Sequence, residues 1–164
     1  MKKFIKFAII IATAIAYAMV PFGVLSAARN TQSRGSPGAS HRYPCGVDVI
    51  YKGGLVNIDA NGYAMAATDT ASEWCAGVAD ETVDNSGGSA GDKWVRVISG
   101  RSYRLAATSI TQAMLGEVMY VVDDQTFDDG GGPTNDVPVG TLMEFISVTE
   151  GWVYIPEGGS QKVS

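Results

Sequence analysis

The sequence has a single histidine, His41, and two cysteines, Cys45 and Cys75, among 164 residues, and only 18% of it is charged. A Ser–His–Asp or Cys–His arrangement would have to recruit that one histidine, which lies in a polar stretch with nothing to fix its ring. It reads as solvated. Two cysteines and a distant histidine are too few to ligate zinc. The clusters Gly87-Gly88 and Gly130–Gly132 have no following Lys-Ser/Thr and open no helix. They read as loop tips, not phosphate cradles. With no base, nucleophile and oxyanion donor in one set, the chain reads as neither an enzyme nor a cofactor carrier.

Carboxylates are the only metal candidates. Asp123, Asp124, Asp128 and Asp129 fall within DDQTFDDGGG. That run lacks the alternating ligand spacing of an EF-hand loop and its closing Glu. A solvated acidic loop is the default reading.

Long apolar runs are also scarce; there is one. Lys2, Lys3 and Lys6 precede the 14-residue run Phe7–Val20, then Pro21, Gly23 and the small residues Ser26, Ala27 and Ala28. This is the pattern of a secretory signal peptide, with cleavage after Ala28 leaving Ser26 and Ala28 at the two small positions. As a helix the run spans about 21 Å, short of a hydrocarbon core of roughly 30 Å. A third reading is an uncleaved segment buried within an assembly. Without this leader the body has nine basic residues against seventeen acidic ones, a net of −8. Such a body repels phosphates, which argues against nucleic acid as a partner. Any membrane contact would run through an uncleaved leader.

What is abundant is glycine, 20 copies, and apolar residues, 46%. The mixture fits an all-β protein, a small β-barrel or β-sandwich of short antiparallel strands. The expected organisation is a leader at 1–28, a flexible polar arm at 29–44, a β domain at 45–156 and a C-terminal tail at 157–164. Asn30–His41 is rich in Ser, Gly and Pro and buries too little to order alone, so a neighbour would have to receive it. Strands are expected at Val47–Tyr51, Leu55–Ile58, Tyr63–Ala67, Cys75–Ala79, Trp94–Ser99, Ser102–Ala106, Glu117–Val122, Val139–Ile146 and Trp152–Ile155. Alternation sets Val95 and Val97 opposite Trp94, Arg96 and Ile98. Asn61-Gly62 suits a tight turn, and Gly100-Arg101 a two-residue hairpin loop. Thr111–Leu115 is barely one helical turn; Asp84–Asp92 and Asp128–Asp136 are expected loops. Most of Trp74, Trp94, Trp152, Tyr103, Tyr120 and Tyr154 are expected in the core. If the domain is exported, Cys45 and Cys75 can pair, adding roughly 3.5 kcal/mol for a loop of about 30 residues. In a reducing compartment they are buried thiols.

Several segments, in order, carry a resemblance. LSAARNT (25–31), YKGGLVNIDANGYAMAA (51–67), GVADETVDNS (77–86), WVRVISG (94–100), LGEVMYVVDDQTF (115–127), VGTLMEF (139–145) and GWVYIP (151–156) resemble, in order and spacing, the small β-rich head-decoration or capsid cement proteins of tailed bacteriophages. The resemblance implies a non-enzymatic virion protein that oligomerises, often as trimers, on the lattice of the major capsid protein. Its place would be the capsid surface. The leader and the long polar arm depart from that pattern. They keep open an exported β domain that polymerises into an extracellular filament or a cell-envelope layer.

Overall fold

The computed structural model describes residues 24–160, and the leader reading falls outside them except for its last five residues. The order is β1 (Ser33–Arg34), β2 (Ala39–Pro44), β3 (Val49–Ile50), β4 (Leu55–Ile58), β5 (Ala64–Ala66), β6 (Trp74–Ala79) and β7 (Val83–Asp84). Then come β8 (Trp94–Ser99), β9 (Arg101–Ala107), a 3₁₀ turn at Gln112–Met114, β10 (Val118–Val121), β11 (Thr126–Asp128), β12 (Pro138–Ser147) and β13 (Glu150–Ile155). All nine expected strands are present, and the protein is all-β, built from short, mostly antiparallel strands.

Two rings pack against each other, and the apolar core falls into two clusters. The first runs β2-β8-β6-β4-β5 and closes through a parallel bridge between Cys45 and Ala64. The second runs β9-β11-β10-β12-β13 and returns to β9. Its β9–β11 contact is parallel. Closure removes the exposed edges that make open sheets stick. β3 and β7 form a separate two-stranded ribbon.

The period-2 alternation divides the first ring's side chains between two clusters. Val56, Ile58, Ala76, Val95 and Val97 fill that ring with Cys45 and Ala64. Leu55, Cys75 and Val78 point the other way, onto a cluster made by Leu105, Met119, Val121, Phe127, Leu142, Val153 and Ile155 of the second ring. Each large apolar side chain so buried contributes about 1.5–3 kcal/mol. One bulge keeps this partition in phase. Val56 pairs with Gly77 and Asn57 with Cys75, leaving Ala76 as the extra residue. Gly77 has φ 142°, and a Cβ there would lie 2.5 Å from the Ile98 carbonyl oxygen. Only glycine fits.

Five expectations need correction. The polar segment 29–44 is not an arm outside the domain: β1 pairs with β9, and β2 pairs with β8 along all six of its residues. Backbone pairing orders it, helped at its end by Tyr43, which packs against the first-ring cluster. Gly100 does not turn a hairpin, because β8 and β9 belong to different rings. The chain steps across from one ring to the other there. Asp128 lies at the end of β11, not in a loop. Of the six aromatics only Tyr103 is buried, while Trp94 is 49% and Tyr154 38% exposed; both stand on outward faces of their strands. The first residues of the expected tail are also docked. Ser160 N–H donates to the Cys75 carbonyl at 2.8 Å, and Gly158 N–H to Ser99 Oγ at 3.0 Å.

Candidate functional site

Four of the segments singled out in the sequence meet at one junction between the rings. The turn joining β10 to β11, Asp123-Asp124-Gln125, is held by its own Asp123 carboxylate, which accepts the Gln125 N–H at 2.9 Å. Its Asp124 carbonyl accepts the Leu55 N–H at 2.6 Å, and its Gln125 carbonyl the Ala106 N–H at 3.1 Å. Onto this turn the segment 25–31 is strapped. Leu25 N–H donates to Asp124 Oδ1 at 2.7 Å. Arg29 donates from Nη1 to Gln125 Oε1 at 3.1 Å and from Nε to Thr31 Oγ1 at 3.0 Å. Its backbone N–H reaches the Lys52 carbonyl at 2.8 Å, and the Thr31 hydroxyl donates to the Gly53 carbonyl. Gly53 and Gly54 in turn exchange backbone bonds with Ala79, 2.8 Å and 2.9 Å long. Gly53 is required here: it has φ 85°, and a Cβ would strike the Arg29 carbonyl.

The electrostatics follow from burial. Asp124 is 1% exposed, and desolvation pushes its carboxyl up to about 6, with Asp123 adding repulsion. The Leu25 N–H and the Arg29 charge oppose that rise. Burial lowers the Arg29 guanidinium from its ordinary value, against the pull of Asp124, Asp123 and Glu150. The knot is therefore a desolvated cation between acceptors. It ties strap to turn.

The other candidates are dispersed. Asp128 accepts from the Thr108 hydroxyl and from Gly130 N–H at 3.2 Å, and Asp129 from Gly131 N–H at 2.9 Å. These lie at the opposite end of β11 from Asp123 and Asp124. Among the described residues no group of three or more His, Cys, Asp or Glu side chains is placed to hold a metal ion. His41 stands exposed on β2, its ring 6.3 Å from Tyr43. Cys45 and Cys75 are both free and buried. They belong to different core clusters, Cys45 inside the first ring and Cys75 outside it, which separates them by the ring wall. Burial pushes the Cys45 thiol up to about 11 and the Cys75 thiol up to about 12. Both are held in the protonated, weakly nucleophilic form near neutral pH.

Sequence reasoning missed the outer face of the second ring. Cross-strand pairing sets Val118, Thr141, Tyr154, Ser102 and Arg34 in one outward row. The next row carries Glu144, Trp152 and Arg104. The Arg34 guanidinium lies 3.9 Å from the Trp152 ring centroid and pairs with Glu144, while Arg104 grips Glu150 with bonds of 2.7 and 2.6 Å. Val118 and Met143 are 47% and 56% exposed. The period-2 pattern of β13 was the available signal, since Trp152 and Tyr154 share a face opposite Val153. Comparison with protein-family models, with curated proteins and with solved structures finds no match to this chain.

Proposed function

We propose that this protein is a non-enzymatic structural subunit that oligomerises and decorates or stabilises the capsid lattice of a tailed bacteriophage. One observation carries the reading. The segments that resemble cement proteins, at 25–31, 51–67, 77–86 and 115–127, are hydrogen-bonded to one another at the junction of the rings. Their meeting at one place is in keeping with that reading. The outward row of the second ring supplies a surface suited to copies or lattice neighbours. It offers apolar area beside both signs of charge, already paired, so that contact costs little repulsion. The mechanism is mechanical: modest contact energies at many symmetry-related positions sum to a tight hold on the shell.

The test is to mix the full chain with emptied, undecorated phage heads and image them by electron microscopy, with the size of the free protein measured in parallel. Regular added density on the heads is expected. A protein that stays monomeric at high concentration and leaves the heads bare ends the proposal.

A further inference from the structure

A pocket of about 180 Å³ opens where the strap, the end of β6 and the step from β8 to β9 meet. Four carbonyls of its wall already receive donors. Gly53 takes the Thr31 hydroxyl, Lys52 takes Arg29 N–H, Ala79 takes Gly53 N–H, and Ile98 takes the Tyr103 hydroxyl at 2.9 Å. The wall's one carboxylate, Asp80, holds Arg96 Nε at 2.7 Å. Its donors are less well matched. The side chains of Asn30, Ser33, Lys52 and Arg101 make no hydrogen bond or ion pair among the described residues. Arg101 Nε is buried as well, so water does not satisfy it. Leaving a desolvated donor on a charged group unpaired is costly.

The charges leave a surplus of one sign. Arg29 is answered by Gln125, Thr31 and the nearby Asp124, and Asp80 by Arg96. Lys52, at the exposed rim, and the half-buried Arg101 remain as two positive charges without a partner. Tyr103 adds no negative charge: burial pushes its hydroxyl up to about 12, against the pull of Arg101. The rest of the wall is apolar, from Val78, Ala79 and Ile98. The volume is below the roughly 300–1,000 Å³ of sites that enclose drug-sized ligands, so the occupant is a group of few atoms. A carboxylate on a short hydrocarbon stem matches both parts of the wall. Its two oxygens take the guanidinium and ammonium donors, and its methylenes cover Val78 and Ile98. A phosphate ion has nothing to offer the apolar side. We propose that this pocket binds a carboxylate carried on a short apolar stem, anchored by Arg101 and Lys52 with Asn30 and Ser33 as further donors. Two sources present that group, a free small acid and a Glu or Asp side chain of a second copy of this chain. The inference concerns the pocket alone and does not rest on the capsid reading.

Butyrate is the probe, titrated into the full chain at constant ionic strength with chloride as the balance and followed by proton–nitrogen NMR. Saturable shifts are expected at Arg101 Nε–H and at the backbone amides of Asn30, Ser33 and Gly53. Arg101→Gln is expected to weaken binding at least tenfold, and Lys52→Gln, at an exposed side chain that folding does not need, to weaken it less. Arg42→Gln removes an exposed cation of β2 outside this wall and is expected to change nothing. Butyrate should also raise Tm of the parent and of Arg42→Gln, but not of Arg101→Gln. No saturable shift at these positions, phosphate binding as tightly as butyrate, or undiminished binding in both pocket variants overturns the proposal. Where butyrate binds, the acid-free protein tells the source. An Arg101 Nε–H signal that moves on dilution assigns the carboxylate to a second copy, and one indifferent to concentration assigns it to a free acid.

Discussion

Arg29 and Gln125, 96 positions apart, are joined by a 3.1 Å hydrogen bond at the seam of the two rings. The same guanidinium braces Thr31, whose hydroxyl donates to the Gly53 carbonyl, and the Arg29 backbone holds Lys52. Removing the side chain leaves a desolvated Gln125 oxygen without this donor. Arg29→Ala is expected to cost roughly 2 kcal/mol, the scale of a hydrogen bond to a charged group. Chemical denaturation should show a lower midpoint. An unchanged midpoint would mean that the strap is ornamental.

Asp124 makes the opposite case, a charge the fold tolerates at a cost. Its folded value of about 6 lies above the ordinary 3.8, mainly through burial. The folded state therefore binds the proton more tightly than the unfolded chain does. This contribution to stability is full below about pH 4, falls as pH rises to about 6, and is absent above. Asp124→Asn keeps an oxygen for the Leu25 N–H and removes the charge. At pH 8 it is expected to be more stable than the parent by on the order of 1 kcal/mol, after allowance for solvent screening. The difference should vanish near pH 4. Melting curves across that range check the sign.

The bulge at Ala76-Gly77 sets which residues of β6 face which cluster. Gly77→Ala puts a Cβ against the Ile98 carbonyl at a backbone angle other residues avoid. A loss of roughly 2–3 kcal/mol is expected. Gly62→Ala, at a turn with φ 87° but open space around it, should cost less. Equal losses would refute the steric account.

Both thiols lie behind packed walls with raised proton affinities. At pH 8 a thiol reagent is expected to react slowly with native protein and to count two thiols after denaturation. A count of zero in unreduced, denatured protein would reveal a bridge instead.

On the outward row, Val118→Ser with Tyr154→Ser is expected to lower Tm by no more than a few degrees, since both side chains are more than a third exposed. The same pair should weaken self-association or binding to phage heads at least tenfold. Unaltered association would move the contact surface elsewhere.

Much of the fold was legible because burial alternates where the apolar residues alternate. β4 and β8 fall on their expected bounds, and Val95 and Val97 point inward as their spacing indicates. What escaped notice had no apolar signal. β2 reads Ala-Ser-His-Arg-Tyr-Pro, with its middle three residues exposed, and is a strand because its backbone pairs with β8. Gly100 looked like a hairpin turn because local sequence cannot say which ring receives the next strand. The junction was legible only in pieces. Arg29 stood in a polar stretch and Asp124 in an acidic one, and nothing local to either indicates that they share a buried site. The outward row was hidden for a related reason: Trp152 and Tyr154 look like core residues until their partners across β12 and β9 are known.

The position of Gly100 also governs the order in which the protein can be completed. The strands of the first ring all lie before it, so that ring has every strand it needs once Ser99 leaves the ribosome. The second cannot close until Ile155 has followed. During that interval Leu55, Cys75 and Val78 face water, and Arg29 waits for a turn not yet made. The flank of the first ring is thus covered only by residues that come last off the ribosome.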